Sequence, residues 1–331
     1  MAAEPVLGGA APRDRATDSP AGASRALTDF ARGHYERARR QASARIAELF
    51  AGLLVSSLVG ARHPWAGSVL DVARITAAGG RISLPGEQAG LDVISATMVM
   101  AARIRVGGFV VAHDTIGTQA ADACAAAAWS TGQQEGSAWR DILAAFSAGI
   151  EAQLRLTRAL RQFPKSSAWD VPAMASVVGA AYATGLLLGL DADRLGQAIG
   201  IAASQTVGAP LITPTPAGVL HSAKPAANGV MSAYLAAENF TGQEHVLEMH
   251  RGLFPVVADV KALPATVAFG EPDVSLADQL RLTVPRRSVA GQDRAYQLSA
   301  PFHCLLGQID GSAGDSGLRR LVYRFMREVL W

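Results

Sequence analysis

One stretch without a single charge constrains how this chain can fold. It runs from Val171 to Leu190, twenty residues built largely of Ala, Gly and Val, with proline at its second position. That length is sufficient in principle for a membrane span. Only four of its residues are leucine, however, and the helix expected after it is amphipathic. We therefore expect a buried helix at the centre of a large α-helical domain, and no membrane partner.

Helical periodicity extends to both sides of this run. Before it, apolar residues recur at three- and four-residue intervals from Leu27 to Val59, and further helices are predicted at 68–77, 91–103, 120–130 and 139–160. Asp170, just before Pro172, is typical of a helix N-cap, and Asp191 is a second one. The block from 169 to 252 is thus predicted to be the helical core.

The pattern changes after residue 255. Short β-branched or alternating stretches are typical of strands, and they occur at Val256-Val257, 266–269 and 280–284. We predict a disordered tail over 1–25, an all-α domain over 26–255 and the remnant of an α/β lid over 256–294. Residues 295–331 are a candidate completion of the helical domain, with a last amphipathic helix from Gly317 onwards. The expected fold class is mainly α.

Composition and motifs argue against several kinds of partner. Thirty basic and 28 acidic residues leave a formal charge of +2, too balanced for nucleic acid as the main partner. The two cysteines lack metal-ligand spacing and fit a reducing cytoplasm. The seven histidines form no metal-like pair at helical spacing, and no phosphate-binding glycine motif occurs. We predict a cytoplasmic protein that binds a small molecule without metal or cofactor.

Three segments of the core resemble the MmgE/PrpD family, which includes 2-methylcitrate dehydratase and cis-aconitate decarboxylase. They are GAAYATGLLLGLDADRLGQAIGIAASQTVG (179–208), His221 followed by AANGVMSAYLAAENFTG (226–242), and LEMHRGLF (247–254). The resemblance covers about 27–255 and implies a large all-α domain with a smaller α/β lid. It also implies an active site between the two and a homodimer. The segment after residue 255 is too short for a full lid, so we expect a truncated one.

The same resemblance implies site residues and shows where this chain departs from the family. His113-Asp114-Thr115 matches the end of an Asp-rich loop, but Val111 replaces the aspartate four residues before the threonine. His221 matches a family histidine. A second family histidine is replaced by Asp170, and a family lysine by Gly218.

These matches, together with polar neighbours, give the candidate site. The catalytic candidates are His113, Asp114, Thr115, Asp170 and His221, and the substrate-binding candidates are Val111, Trp169, Gly218, Lys224, His250 and Arg251. Each also has a plain structural interpretation. Asp170 would serve as a helix cap, His113 and Asp114 would close a turn, and His221 would be a core histidine.

The replacements change the charge expected around the substrate. They remove a histidine and a lysine and add an anion where the family binds tricarboxylates. We expect an acid–base enzyme, an isomerase, cyclase or lyase, acting on a less anionic and more apolar metabolite, for example in specialised biosynthesis. One alternative is a conventional dehydratase or decarboxylase in which Lys224 or Lys165 supplies the missing cation. The other is a helical binding protein without catalytic activity.

Overall fold

The computed structural model describes residues 22–41, 43–77, 79–87, 90–114, 116, 118–119, 121–206, 208–209, 215–261, 269, 275–283, 305–309 and 316–330. This described part is mainly α-helical, so the predicted fold class is confirmed. Its helices are α1 (Ala23–Arg40), α2 (Ala44–Gly60), α3 (Pro64–Thr76), α4 (Val93–Gly107), α5 (Asp122–Glu135), α6 (Trp139–Arg161), α7 (Val171–Leu187), α8 (Ala192–Ala203), α9 (Leu220–Ala237), α10 (Leu253–Ala258), α11 (305–309) and α12 (Ser316–Leu330).

The charge-free run forms α7, which lies at the centre of the helical domain. It packs against α5, α6, α8 and α9. A helix that is apolar around its whole circumference has to be buried on every side, and α7 is buried from Ala173 to Leu186. In the part of the chain that the structure describes, no single helix is both long and apolar enough to cross a bilayer. The sharply bent pair α1 and α2 meets that criterion by length and composition alone.

Small residues let α6 and α7 approach closely. A Cβ atom on Gly179 would lie 2.7 Å from the carbonyl oxygen of Gly149 and 2.8 Å from Sγ of Cys124. The backbone oxygen belongs to α6, so it can move away only if that helix moves. This contact explains why glycine stands inside α7, where alanine would otherwise favour the helix.

We expect Gly179→Ala to lower the free energy of unfolding by about 1–3 kcal/mol, because it overpacks this crossing. Urea unfolding followed by circular dichroism would measure the change. Gly196→Ala in α8 is the matched control, since nothing lies within 4 Å of its added Cβ. That variant should be neutral or more stable by about 0.5–1 kcal/mol. Similar losses in both proteins would contradict a tight crossing.

Helix α6 contributes to two hydrophobic clusters. One face, which carries Phe146 and Ile150, packs into a cluster formed mainly by α2, α4 and α5. The opposite face, which carries Ala148 and Ala152, packs into a cluster that includes α1, α7 and α8. The terminal helix α12 packs against α2 and adds Leu318, Val322 and Phe325 to the first cluster. Helix α12 therefore shares a hydrophobic cluster with α2, α4 and α5.

In the described part of the chain, two small antiparallel sheets accompany the helices. Strand β1 (Ile82–Ser83) pairs with β2 (Gly90–Leu91), and β3 (Val110–His113) lies between β4 (Thr118–Gln119) and β5 (Arg281–Thr283). In the β3–β5 pair, Val111 lies opposite Leu282. Because β5 belongs to the predicted lid remnant, this pairing attaches part of that segment to the helical domain.

Some predicted boundaries need correction. The strand predicted at 280–284 is confirmed as β5, but the strand at Val256-Val257 is wrong, since both valines lie in α10. The buried residues of α10 are Leu253, Phe254, Val257 and Ala258, a spacing that places them on one helical face. Helix α1 begins at Ala23, inside the predicted tail, of which residues 1–21 lie outside the described part. Residues 266–268 lie outside it as well.

Candidate functional site

Asp170 is the residue on which the candidate site is built. Its Oδ1 accepts a hydrogen bond of 3.2 Å from the backbone N–H of Ala173, so it caps α7 as predicted. Its Oδ2 lies 2.7 Å from Nδ1 of His221. One carboxylate therefore performs two tasks, and the capping role leaves the second oxygen available to orient a histidine.

His221 lies in the first turn of α9. Its side chain is 10% exposed and that of Asp170 is 33% exposed, so the pair is partly accessible to solvent. An ionised carboxylate only accepts hydrogen bonds, so Nδ1 of His221 is the protonated nitrogen. Nε2 then carries the lone pair and is the atom able to take a proton from a reactant. This tautomer and orientation are those that a histidine general base requires.

Trp169 lies beside this pair and is 40% exposed. The backbone N–H of Asp170 donates to the carbonyl of Gly208 at 2.9 Å. A Cβ on Gly208 would lie 3.3 Å from Cε3 of the Trp169 ring, so glycine allows the loop and the ring to approach. Trp169 thus sets a partly exposed aromatic ring directly before the Asp170 cap.

A second polar group includes Ser222, the residue that follows His221, and the sequence did not reveal it. Ser222, the next residue of α9, donates a hydrogen bond of 3.0 Å to Oδ2 of Asp122. Nη1 of Arg105 lies 3.9 Å from the same oxygen. Burial raises the pKa of Asp122, and the nearby Arg105 charge and the Ser222 hydroxyl oppose that rise. In the sequence Asp122 resembles any acid in the first turn of a helix.

The first turns of α5, α7 and α9 come together at these contacts. Asp122 is the first residue of α5, Asp170 caps α7, and His221 and Ser222 begin α9. The three helices also pack on one another. The first turn of α9 thus contacts the N-terminal ends of both α5 and α7, and helix N-termini favour carboxylates such as Asp122 and Asp170.

His113 and Asp114 contact residues other than Asp170 and His221. His113, at the end of β3, is 2% exposed, and its Nδ1 accepts from the N–H of Ile116 at 3.3 Å. Burial lowers the pKa of His113, which keeps the imidazole neutral. Asp114 is 58% exposed and pairs with Arg281 of β5 at 3.0 Å. The candidate site groups His113, Asp114, Asp170 and His221 around one pocket, whereas the side chain of Asp114 faces solvent.

The remaining candidate residues lie in different surroundings. Val111 is 1% exposed in the hydrophobic core, and its role as a substrate-binding residue stays a prediction. Gly218 lies in the 3-10 turn Pro216–Val219 that leads into α9. Lys224, His250 and Arg251 are exposed. Thr115 lies outside the described residues, and among those described no three side chains are arranged to hold a metal ion.

Comparison of the sequence with known proteins assigns the chain to a family. The model of the MmgE/PrpD N-terminal domain matches residues 25–265. The chain belongs to the MmgE/PrpD family. Human cis-aconitate decarboxylase is 31% identical over 135 residues, which are 39% of this chain and 27% of that protein. Mouse cis-aconitate decarboxylase is 31% identical over 116 residues, 34% and 23% of the two lengths.

The resemblance that the core segments carry is thus confirmed. The matched part spans about a quarter of the length of these two decarboxylases. Asp170, Gly218 and His221 all fall inside the region that the MmgE/PrpD model matches.

Proposed function

We propose that this MmgE/PrpD protein is an enzyme in which His221, oriented by Asp170, transfers a proton during isomerisation, cyclisation or elimination of a small metabolite. The observation that carries the proposal is the 2.7 Å contact between Nδ1 of His221 and Oδ2 of Asp170. Because this contact uses Nδ1, Nε2 is the ring nitrogen that would exchange a proton with a reactant.

The proposed reaction has two proton transfers, both at Nε2 of His221. Nε2 of His221 removes a proton from a carbon next to a carbonyl or carboxyl group, or from a hydroxyl group. The imidazolium that forms is stabilised by the Asp170 carboxylate 2.7 Å away. The same nitrogen then returns its proton to the product or to the leaving group. General acid–base catalysis of this kind contributes about 10²–10⁴-fold in rate.

The charges near His221 favour a reactant with few carboxylates. Asp170 adds an anion, and repulsion in a poorly solvated site costs more than in water. Lys165 is 73% exposed and pairs with Asp259 at 3.7 Å, and Lys224 is exposed on α9. Neither lysine contacts the Asp170–His221 pair among the described interactions. This supports a less anionic and more apolar substrate over a conventional tricarboxylate lyase.

A panel of acids incubated with the purified chain in D2O tests the proposal. It contains short monocarboxylates and dicarboxylates, cis-aconitate and 2-methylcitrate, and NMR follows both deuterium incorporation and product. We expect turnover or exchange with an acid of one or two carboxylates, at a kcat/KM at least roughly tenfold above that of cis-aconitate.

Two results would contradict this expectation. Faster turnover of cis-aconitate or 2-methylcitrate would favour the conventional lyase. Inactivity of the folded protein toward the whole panel would favour a non-catalytic helical binding protein.

A further inference from the structure

The first turn of α9 lacks one of the backbone hydrogen bonds that normally hold a helical turn together. Pro225 lies inside α9. Proline has no backbone N–H, so it cannot donate to the carbonyl group four residues earlier, which is that of His221. Val219, the residue that precedes α9, forms no side-chain cap hydrogen bond. Side-chain contacts therefore have a larger share in fixing this turn, and with it the position of His221.

Two side-chain hydrogen bonds tie this turn to two other helices. Nδ1 of His221 contacts Oδ2 of Asp170 at 2.7 Å, at the start of α7. Oγ of Ser222 donates to Oδ2 of Asp122 at 3.0 Å, at the start of α5. Ser222 is buried and the Asp122 side chain is 14% exposed, so little water competes for the second bond. Because adjacent residues of a helix point in different directions, the two bonds restrain the turn from two sides.

The chain enters α5 through an uncommon backbone conformation. Ala121, the residue before Asp122, has φ 90° and lies in the left-handed region, which a residue with a Cβ atom rarely adopts. Such a conformation costs free energy and persists only where surrounding contacts enforce it. Backbone outliers of this kind are concentrated at functional sites. This one fixes the entry to α5 at the residue whose carboxylate receives the Ser222 hydrogen bond.

We propose that Asp122 is a positioning residue for His221. By accepting the hydrogen bond from Ser222, it fixes the first turn of α9 and keeps Nδ1 of His221 against Asp170. The inference rests on the proposed function, since it concerns the imidazole that would transfer the proton. Asp122 acts through the Ser222 hydroxyl and the backbone of α9, without touching the reactant. When the bond is lost, the turn shifts and the Nδ1–H tautomer of His221 is less populated.

The tautomer of His221 tests this role without a substrate. Long-range proton–nitrogen correlation NMR of the full chain, with labelled histidine, distinguishes an imidazole protonated at Nδ1 from one protonated at Nε2. Spectra are recorded at about pH 8, where ordinary histidine side chains are neutral, and the His221→Asn spectrum identifies the His221 signals. We expect mainly the Nδ1–H form in wild type. In Ser222→Ala and Asp122→Ala the ratio of the Nδ1–H form to the Nε2–H form should fall about fivefold, the factor that one typical net hydrogen bond contributes.

Further variants separate positioning from a charge effect. The amide oxygen of Asp122→Asn still accepts the Ser222 hydrogen bond, so this variant should keep the wild-type tautomer ratio within about twofold. With an acid that the protein turns over, kcat should fall at least roughly tenfold in Ser222→Ala and Asp122→Ala, while KM changes little. The double variant Ser222→Ala with Asp122→Ala should lose no more than either single variant, because both changes remove the same bond.

Ser56→Ala is the matched control, because the buried Ser56 hydroxyl also joins two helices, donating to the carbonyl of Ile104 at 2.9 Å. It should lower the free energy of unfolding as Ser222→Ala does and leave the tautomer of His221 unchanged. The same tautomer ratio in wild type, Ser222→Ala and Asp122→Ala would overturn the inference, and so would an equal change in Ser56→Ala.

The turnover of His221→Asn separates this inference from the proposed function. If that variant keeps wild-type turnover while Ser222→Ala changes the tautomer of His221, the acid–base role is refuted and the positioning role stands. If it is inactive while the tautomer is unchanged in both Ser222→Ala and Asp122→Ala, only the positioning role is refuted.

Discussion

Replacing His221 by asparagine is expected to lower kcat/KM by at least about 10²-fold without unfolding the protein. The asparagine amide can still donate to Oδ2 of Asp170, so the contact that is 2.7 Å in the wild type is replaced by a similar one. It offers no atom equivalent to Nε2 and hence no base. Steady-state kinetics on the acid found in the panel would measure the loss, and circular dichroism would verify the fold.

The variant Asp170→Asn tests the residue that orients His221, by the same kinetic measurement. Asparagine caps helices as well as aspartate does, so α7 should keep its cap while the anion that stabilises imidazolium is lost. We expect kcat to fall on the order of 10²-fold. Asp191→Asn is the matched control, because Asp191 caps α8 by accepting from the N–H of Arg194 at 2.8 Å. Wild-type kinetics for both His221→Asn and Asp170→Asn would refute the acid–base proposal.

Replacing Glu151 by alanine is expected to lower the free energy of unfolding by about 3–5 kcal/mol, because it removes the carboxylate that compensates the buried charge of Arg155. The carboxylate of Glu151 is fully buried and lies 2.9 Å from Nη2 of Arg155, itself 2% exposed. It also accepts from the backbone N–H groups of Leu276 at 3.1 Å and Ala277 at 2.9 Å. The loss should therefore include the attachment of residues 275–283.

Urea unfolding would measure the loss of stability, and hydrogen exchange would measure the weaker attachment of residues 275–283. Exchange should accelerate in β5 more than in α7, since β5 follows the segment that Glu151 holds. The double variant Glu151→Met with Arg155→Met should recover much of the stability, because a buried pair replaced by apolar side chains is often neutral. Asp71→Asn, at an exposed pair, should change stability by less than about 1 kcal/mol. A similarly small effect of Glu151→Ala would contradict an anchoring role.

Local sequence patterns predicted the secondary structure correctly wherever a segment's own residues decide it. The charge-free run predicted α7, and Asp170 before Pro172 predicted its cap, because capping depends only on residues within one turn. The strand at 280–284 followed from its alternation. Val256-Val257 was predicted wrongly, because the preference of β-branched residues for strands depends on context; in α10 Val257 is buried and Val256 is 55% exposed.

The site was less predictable from the sequence than the helices. Asp170 and His221 were predicted as separate candidates. They are 51 positions apart in the sequence, and their contact joins the N-terminal ends of α7 and α9. His113 and Asp114 were expected beside them, but pairing of β3 with β5 gives Asp114 a partner, Arg281, from a distant segment. Arg105, Asp122 and Ser222 carry no local signal of function. They become a group only when α4, α5 and α9 pack together.

By itself, then, the sequence determined the helical class, the central buried helix, its cap and the family membership, because periodicity, capping and family-specific segments are local properties of the chain. The tertiary structure decided which polar residues meet. It placed Asp170 against His221 and Asp122 against Ser222, and it buried Val111. These outcomes depend on contacts between helices that are distant in sequence, and side-chain packing, not residue spacing, sets such contacts.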